Sequence, residues 1–185
     1  MGISKFFCKN KWLYSRLEES RERLYRIAYA WCHDEALADD LVQESLEKAI
    51  RNVDRLYDHN ALNGWLYRIM ANCWKDYLRK QYHHVDVADD ELVYEGSTPE
   101  ESYESQNMTL RVRKAVAQLP MGQRQVVTLV DLNDASYAEV AEALEVPIGT
   151  VMSRLSRARK ALASIVMEQQ RQSVNKNVYP LREVR

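Results

Sequence analysis

Two stretches of this chain carry residue types suited to holding nucleic acid. The first is near the C-terminal end. Ser136-Tyr137-Ala138-Glu139 forms a capping box, in which a hydroxyl and a carboxylate reciprocally satisfy the first free backbone N–H groups of a helix. It opens a short helix through Leu144, with Val140, Ala141 and Leu144 facing inward. Glu145-Val146-Pro147 breaks that helix, and a patterned stretch follows from Ile148 to Leu162. There Val151, Leu155, Ala158 and Leu162 step by four and three onto one face. Thr150, Ser153, Arg154 and Arg157 are expected on another. Pro147 to Leu162 carries Arg154, Arg157, Arg159 and Lys160 and no acid. A short helix, a three-residue turn and a basic amphipathic helix describe a helix-turn-helix. Polar side chains early in its second helix would meet base edges in a major groove, and those further along, with the first helix, would meet phosphates.

The second stretch is a helix expected from about Trp65 to His83. Leu66, Ile69, Met70, Cys73, Tyr77 and Leu78 make its apolar stripe. Arg68, Asn72, Lys75 and Arg79 step by four, three and four on the opposite side, with no acid among them. Trp65, Tyr67, Trp74 and Tyr77 interleave with this face, and Trp65 and Tyr77 are expected in the core. Cations beside rings suit single-stranded DNA, because cations hold phosphate and rings stack on bases. A third stripe, Asp40, Gln43, Glu44 and Glu47, lies on a helix from about Glu35 to Asn52. Its other face carries Ala38, Leu41, Val42, Leu46, Ala49, Ile50 and Val53. Such an acidic, amide-bearing stripe is a solvated face or a dock for a basic helix of a partner.

The elements that must position these stripes form two blocks. Residues 15–85 read as helical throughout, apart from the Asp-, Asn- and Gly-rich turn Leu56–Gly64. Residues 107–170 read as a second helical domain. In it Met108, Val112, Ala115, Val116 and Leu119 share a face, Pro120 ends that helix, and Gln123–Leu132 forms the next. A second capping box, Thr98-Pro99-Glu100-Glu101, precedes them. Between the blocks, residues 86–106 contain eight acidic and no basic side chains and read as a flexible linker. Residues 171–185 read as a polar tail that frays. The formal net charge of −1 hides this partition: 14 basic against 12 acidic residues in 1–85, and 12 against 7 in 107–185. Nucleic-acid binding must therefore be judged per block.

Composition excludes other classes. No apolar run approaches the ~18–20 residues of a membrane span, and the first residues do not read as a signal peptide. No membrane insertion and a soluble, cytoplasmic protein are expected. Cys8, Cys32 and Cys73 show no CxxC spacing, and the adjacent pairs Cys32-His33 and His83-His84 lack the geometry of a zinc site. No disulfide framework, metal site or cofactor is expected. With no Gly-rich phosphate loop, GxSxG or HExxH, no catalytic residue is assigned and the chain does not read as an enzyme.

The sequence resembles the extracytoplasmic-function sigma factors of the sigma-70 family. Asp39–Leu56 (DDLVQESLEKAIRNVDRL) resembles the core-polymerase-binding part of sigma region 2. Gly64–Gln81 (GWLYRIMANCWKDYLRKQ) resembles its promoter-melting and −10-reading part, and Leu119–Leu162 resembles region 4, which reads the −35 element. The resemblance spans about residues 20–166 in the family's order. It implies an all-α chain of two small helical domains on a flexible tether, acting as a transcription-initiation specificity subunit on bacterial core RNA polymerase. It implies that Asp40, Gln43 and Glu44 dock on the polymerase, and that the loop Asp58–Asn63, with Asp58, His59 and Asn60, holds a base flipped from the −10 strand. Asn72 and Lys75 match positions near that strand. Ser153, Arg154, Ser156, Arg157 and Arg159 match positions at or near the −35 major groove. The acidic linker matches the segment that threads toward the RNA exit channel. A cognate anti-sigma protein is a further implied partner. Met152 stands where the family often has Lys or Arg, and Ser156 where a larger residue is common, so a different −35 sequence is expected. The alternative reading is an autonomous helix-turn-helix transcriptional regulator.

Overall fold

A computed structural model describes residues 3–56, 58–81 and 108–176, with side chains described over 14–56, 58–81, 111–169 and at 171. Among the described residues seven α-helices run in order: α1 (Ile3–Cys32), α2 (Glu35–Arg51), α3 (Leu62–Gln81), α4 (Met108–Ala117), α5 (Met121–Asp131), α6 (Tyr137–Leu144) and α7 (Ile148–Lys176). Two 3₁₀ turns, Val53–Arg55 and His59–Ala61, join α2 to α3. The described residues contain no strand. The acidic linker, its Thr98 capping box and the His83-His84 pair lie outside the described residues.

α1 buries Leu17, Leu24, Ile27, Ala28 and Trp31, a helical stripe. His33 ends it with a left-handed backbone, φ 54°, its N–H donating to Tyr29 O at 2.8 Å. Asp34 then caps α2 by accepting from Leu37 N at 2.9 Å, so the two helices form a hairpin. α2 sets Ala38, Leu41, Val42 and Ala49 against α1 and α3. Leu46 and Val53, also expected there, are half-buried, and Ile50 is exposed.

In the second block α4 ends ahead of Pro120, as expected, and α5 starts at Met121, two residues earlier than the pattern predicts. The Ser136–Glu139 capping box forms with both of its bonds: Glu139 N donates to Ser136 Oγ at 3.2 Å, and Ser136 N donates to Glu139 Oε2 at 2.9 Å. The turn between α6 and α7 rests on Glu145, whose φ of 57° places a non-glycine residue in the left-handed region. α7 continues to Lys176, six residues into the stretch read as a polar tail.

The two blocks, α1–α3 and α4–α7, pack against one another. α6 lies on α3, and α5 and α4 lie on α1, so one continuous core runs through both. This seam corrects one expectation on α3. Tyr67 and Trp74 are buried, whereas Trp65 and Tyr77, expected in the core, are half-buried. The reason is that α3 is covered on two sides, by α2 and by α6. A single apolar stripe against α2 predicts only the first. Burying a large side chain contributes roughly 1.5–3 kcal/mol over leaving it exposed, so Tyr67 and Trp74 are strong anchors of the seam.

Candidate nucleic-acid interfaces

The second helix of the helix-turn-helix, α7, leaves Ile148, Gly149, Met152, Ser153, Ser156, Arg157 and Lys160 exposed over its first three and a half turns. Val151, Leu155 and Ala158 are buried against α4, α5 and α6. Arg157 makes one bond within its own helix, from Nε to Ser153 O at 3.4 Å. The remaining candidates of this group divide. Thr150 is half-buried, and Arg154 is only 9% exposed. Arg154 follows Val151 by three and precedes Ala158 by four, which puts it on the inward stripe rather than beside Ser153 and Arg157. Arg159 is exposed but engaged: its Nε and Nη2 donate to the Asp131 carboxylate at 3.0 and 2.6 Å. This fork-to-fork pairing holds the proton on Arg159 more tightly than usual.

α3 presents the opposite picture. Arg68 pairs with Glu145 at 3.5 Å and Glu142 at 3.9 Å. Lys75 reaches Glu145 at 3.5 Å and the Leu144 carbonyl, at the C-terminal end of α6, at 3.4 Å. Asn72, between them along the helix, is half-buried, and Arg79 pairs with Asp76 at 3.5 Å. Three of the four polar side chains on the candidate −10 face therefore hold protein partners, two of them across the seam. Trp74 stacks on Tyr77, ring centroids 5.5 Å apart. The loop residues Asp58, His59 and Asn60 are all exposed. Asp58 caps its 3₁₀ turn by accepting from Asn60 N at 2.9 Å, leaving the backbone there set by its own side chain.

On α2, Asp40, Gln43 and Glu47 are exposed along one face. Gln43 Nε2 donates to Glu47 at 3.3 Å, and Glu47 also pairs with Arg51. Glu44 is half-buried and bound to Lys48 at 2.8 Å, and this bond holds the Lys48 proton tightly. Lys48 also reaches Asp76 of α3, which ties the acidic stripe to the neighbouring helix.

Two groups that position these faces carry little sequence signal. Arg124 on α5 is fully buried. Its guanidinium donates to Trp31 O at 2.9 Å, Leu119 O at 3.0 Å and Ala117 O. Those carbonyls close α1 and follow α4, so the cation sits at the negative ends of two helix dipoles and needs no carboxylate. Burial pulls its pKa down to about 10, and it stays charged at neutral pH. Glu145 is the other. Its signal is an unusual residue for a left-handed turn position that normally favours glycine.

Among the described residues the cysteines show no activated thiol. Cys32 and Cys73 are buried, and burial pushes the Cys32 thiol up to about 11 and the Cys73 thiol up as well. The Cys8 side chain lies outside the described residues. Among the described residues no group of three His, Cys, Asp or Glu side chains could hold a metal ion, and no helix is long and apolar enough to cross a membrane.

Comparison with known proteins agrees with this geometry. The Sigma-70 region 2 family matches residues 17–83, and the Sigma-70 region 4 family matches residues 109–162. These define a member of the sigma-70 class, with α1–α3 as region 2 and α4–α7 as region 4. The ECF RNA polymerase sigma-E factor of Salmonella typhimurium is 37% identical over 134 residues, 66% of this chain and 70% of that one. ECF RNA polymerase sigma factor SigW of Bacillus subtilis is 29% identical over 153 residues, 77% of this chain and 82% of that one. The sigma factor RpoE from Bartonella quintana, solved in complex with the anti-sigma factor NepR, superposes with a TM-score of 0.70 at 27% identity, covering 85% of this chain and 98% of that one. The chain belongs to the extracytoplasmic-function sigma factors.

Proposed function

We propose that this chain binds bacterial core RNA polymerase in the cytoplasm and directs it to promoters by reading −35 and −10 elements in two different ways. The polymerase supplies all catalytic chemistry. The exposed face of α2, with Asp40, Gln43 and Glu47 and with Glu44 beside them, docks on the polymerase. α7 enters the major groove of the −35 duplex with Ser153, Ser156 and Arg157 forward. Thr150, Arg154 and Arg159 flank that surface, where Arg154 supports the helix from its inner side. The α3 face with Arg68, Asn72, Lys75 and Arg79 holds the −10 single strand, and Asp58, His59 and Asn60 receive a flipped base. Capturing that base offsets an unstacking cost of a few kcal/mol. The observation that carries this reading is the pairing of an open, basic, serine-bearing helix-turn-helix face with a separate cation face, in a chain of this family. Control by an anti-sigma partner is part of the proposal. It is supported by the RpoE relative, which was solved bound to one.

The test is transcription in vitro with purified chain, bacterial core polymerase and DNA of the source genome, with starts mapped. Discrete starts sharing −35 and −10 elements are expected. Arg157→Ala should lower their use by roughly 1–3 kcal/mol in apparent promoter affinity, while the polymerase complex on gel filtration stays intact. Duplex binding without polymerase, and no starts, would instead point to an autonomous regulator.

A further inference from the structure

The α7 face that is open to DNA is not uniformly polar. Met152 is 53% exposed and Ile148 50%. With Ser156 they follow one another in steps of four, so they form a single line along the helix. A Cβ built on the neighbouring Gly149 would meet nothing within 4 Å, which leaves this end of the helix unobstructed. These three residues carry no charge. The next step of four along the line is the exposed Lys160, Arg157 is exposed on one flank, and Arg159, seven residues beyond Met152, is held by Asp131. An uncharged strip cannot hold phosphate by charge, so it must either stay in water or meet the bases.

A major groove offers few apolar features. Along its floor the base edges present hydrogen-bond donors and acceptors, and the one apolar substituent is the C5-methyl group of thymine. The N-terminal turns of a recognition helix are the part that reaches those edges. Met152 is unbranched and flexible, and so can follow a methyl group whose position varies with groove geometry. Exposure alone would not single it out, since Met167 is also exposed, but Met167 lies four turns further along α7. Met152 and Ile148 lie where the groove floor would be.

We infer that Met152, with Ile148 beside it, reads thymine methyl groups in the −35 element. This is a specificity contact made by shape and apolar burial in place of a cation–base hydrogen bond. The inference rests on the reading of α7 as the −35 recognition helix.

The experiment uses the chain bound to core polymerase on its mapped promoter. Each thymine of the −35 element, on either strand, is replaced in turn by deoxyuridine, which keeps the base pair and removes only the methyl. At least one replacement should lower open-complex formation by about two- to fivefold, the range expected for losing one buried methyl. The same replacement should have no effect on the Met152→Ala protein, which should itself use the unmodified promoter less well by a similar factor. Unchanged promoter use with every thymine replaced would overturn the inference. So would a −35 element without A·T pairs, or a methyl effect that persists undiminished in Met152→Ala. Absence of discrete starts on any template would sink the sigma reading itself, and this inference with it, a result distinct from normal starts that ignore the methyl.

Discussion

The cation faces of α3 and α7 have nearly the same composition but opposite surroundings. On α7, Ser153, Ser156, Arg157 and Lys160 face outward, and Arg159 is engaged by Asp131 of α5. On α3, Arg68 and Lys75 are held by Glu142, Glu145 and the Leu144 carbonyl of α6. The partner of the α3 face is thus the first helix of the helix-turn-helix and its cap, whose carboxylates occupy the cations of the proposed strand contact. In this arrangement the proposed −35 face is open and the proposed −10 face is held by the protein itself. Separating the two domains would exchange one set of anions, carboxylates, for another, phosphates. Each exposed pair is worth little, ~0–1 kcal/mol, so the cost of the exchange is set by the buried part of the seam.

The strongest way to break the contrast is therefore Arg124→Ala. It leaves the carbonyls of Trp31, Ala117 and Leu119 without their donor. Hydrogen bonds to a charged group are worth about 1.5–3 kcal/mol each and do not add fully, so a loss of about 3 kcal/mol is expected as a lower denaturant midpoint. Amide exchange in α3 should rise along the side facing α6, while the exposed face of α7 changes little. Equal protection of α3 in the variant and the parent would show that Arg124 does not hold the seam.

Most of the fold was legible in the sequence because periodicity and caps are local. The Asp40–Glu47 stripe, the Ser136 capping box, the Pro120 stop and the Val151–Ala158 stripe all follow from spacings within one helix. The seam was not legible, because nothing local says that a second domain will cover α3. Trp65 and Tyr77 therefore read as the core rings when Tyr67 and Trp74 are the buried ones, and Arg68 and Lys75 as open cations when they are paired. Arg154 was misplaced for a different reason: grouping it with Ser153 and Arg157 ignored its step of three from Val151. Arg124 is harder still. It shares one face of α5 with Met121, Gln125 and Thr128, all buried, and a cation that neutralises helix ends leaves no acidic partner in the sequence to betray it.

A smaller effect tests the polar half of the seam. Glu145→Gln keeps the turn and removes the charge facing Arg68 and Lys75. Binding of a single-stranded oligonucleotide at low salt should strengthen by about two- to fivefold, with a steeper dependence on salt as more cations meet phosphate. Glu145→Gly removes the same charge and also relieves the left-handed backbone, a cost of roughly 1–2 kcal/mol for an L-residue. It should match the Gln variant in strand binding while melting no lower than the parent. Strand binding that ignores both substitutions would show that α6 does not mask α3.

The smallest expected effect is a pH dependence of the seam. His33 lies where α1 turns into α2, its ring edge-on to Tyr29, near a cavity of about 400 Å³ bordered by Arg26, Glu35 and Arg113. Burial first, and the charge of Arg124 second, push its pKa down to about 4 from an ordinary 6.5. The folded chain therefore holds His33 neutral where the unfolded chain would protonate it. Its influence is absent above about pH 6.5, and stability is lost as pH falls from 6.5 toward 4, by at most about 1.4 kcal/mol per unit and by less because solvent screens a partly exposed ring. Arg124 repels the ring once it is charged. His33→Gln should flatten the fall in melting temperature between pH 6.5 and 4.5 relative to the parent. The α3 face should open to exchange at higher pH in the parent than in the variant, since a charged ring beside Arg124 strains the clasp between α1 and α5. Identical slopes in the two proteins would show that His33 does not set the acid sensitivity of the fold.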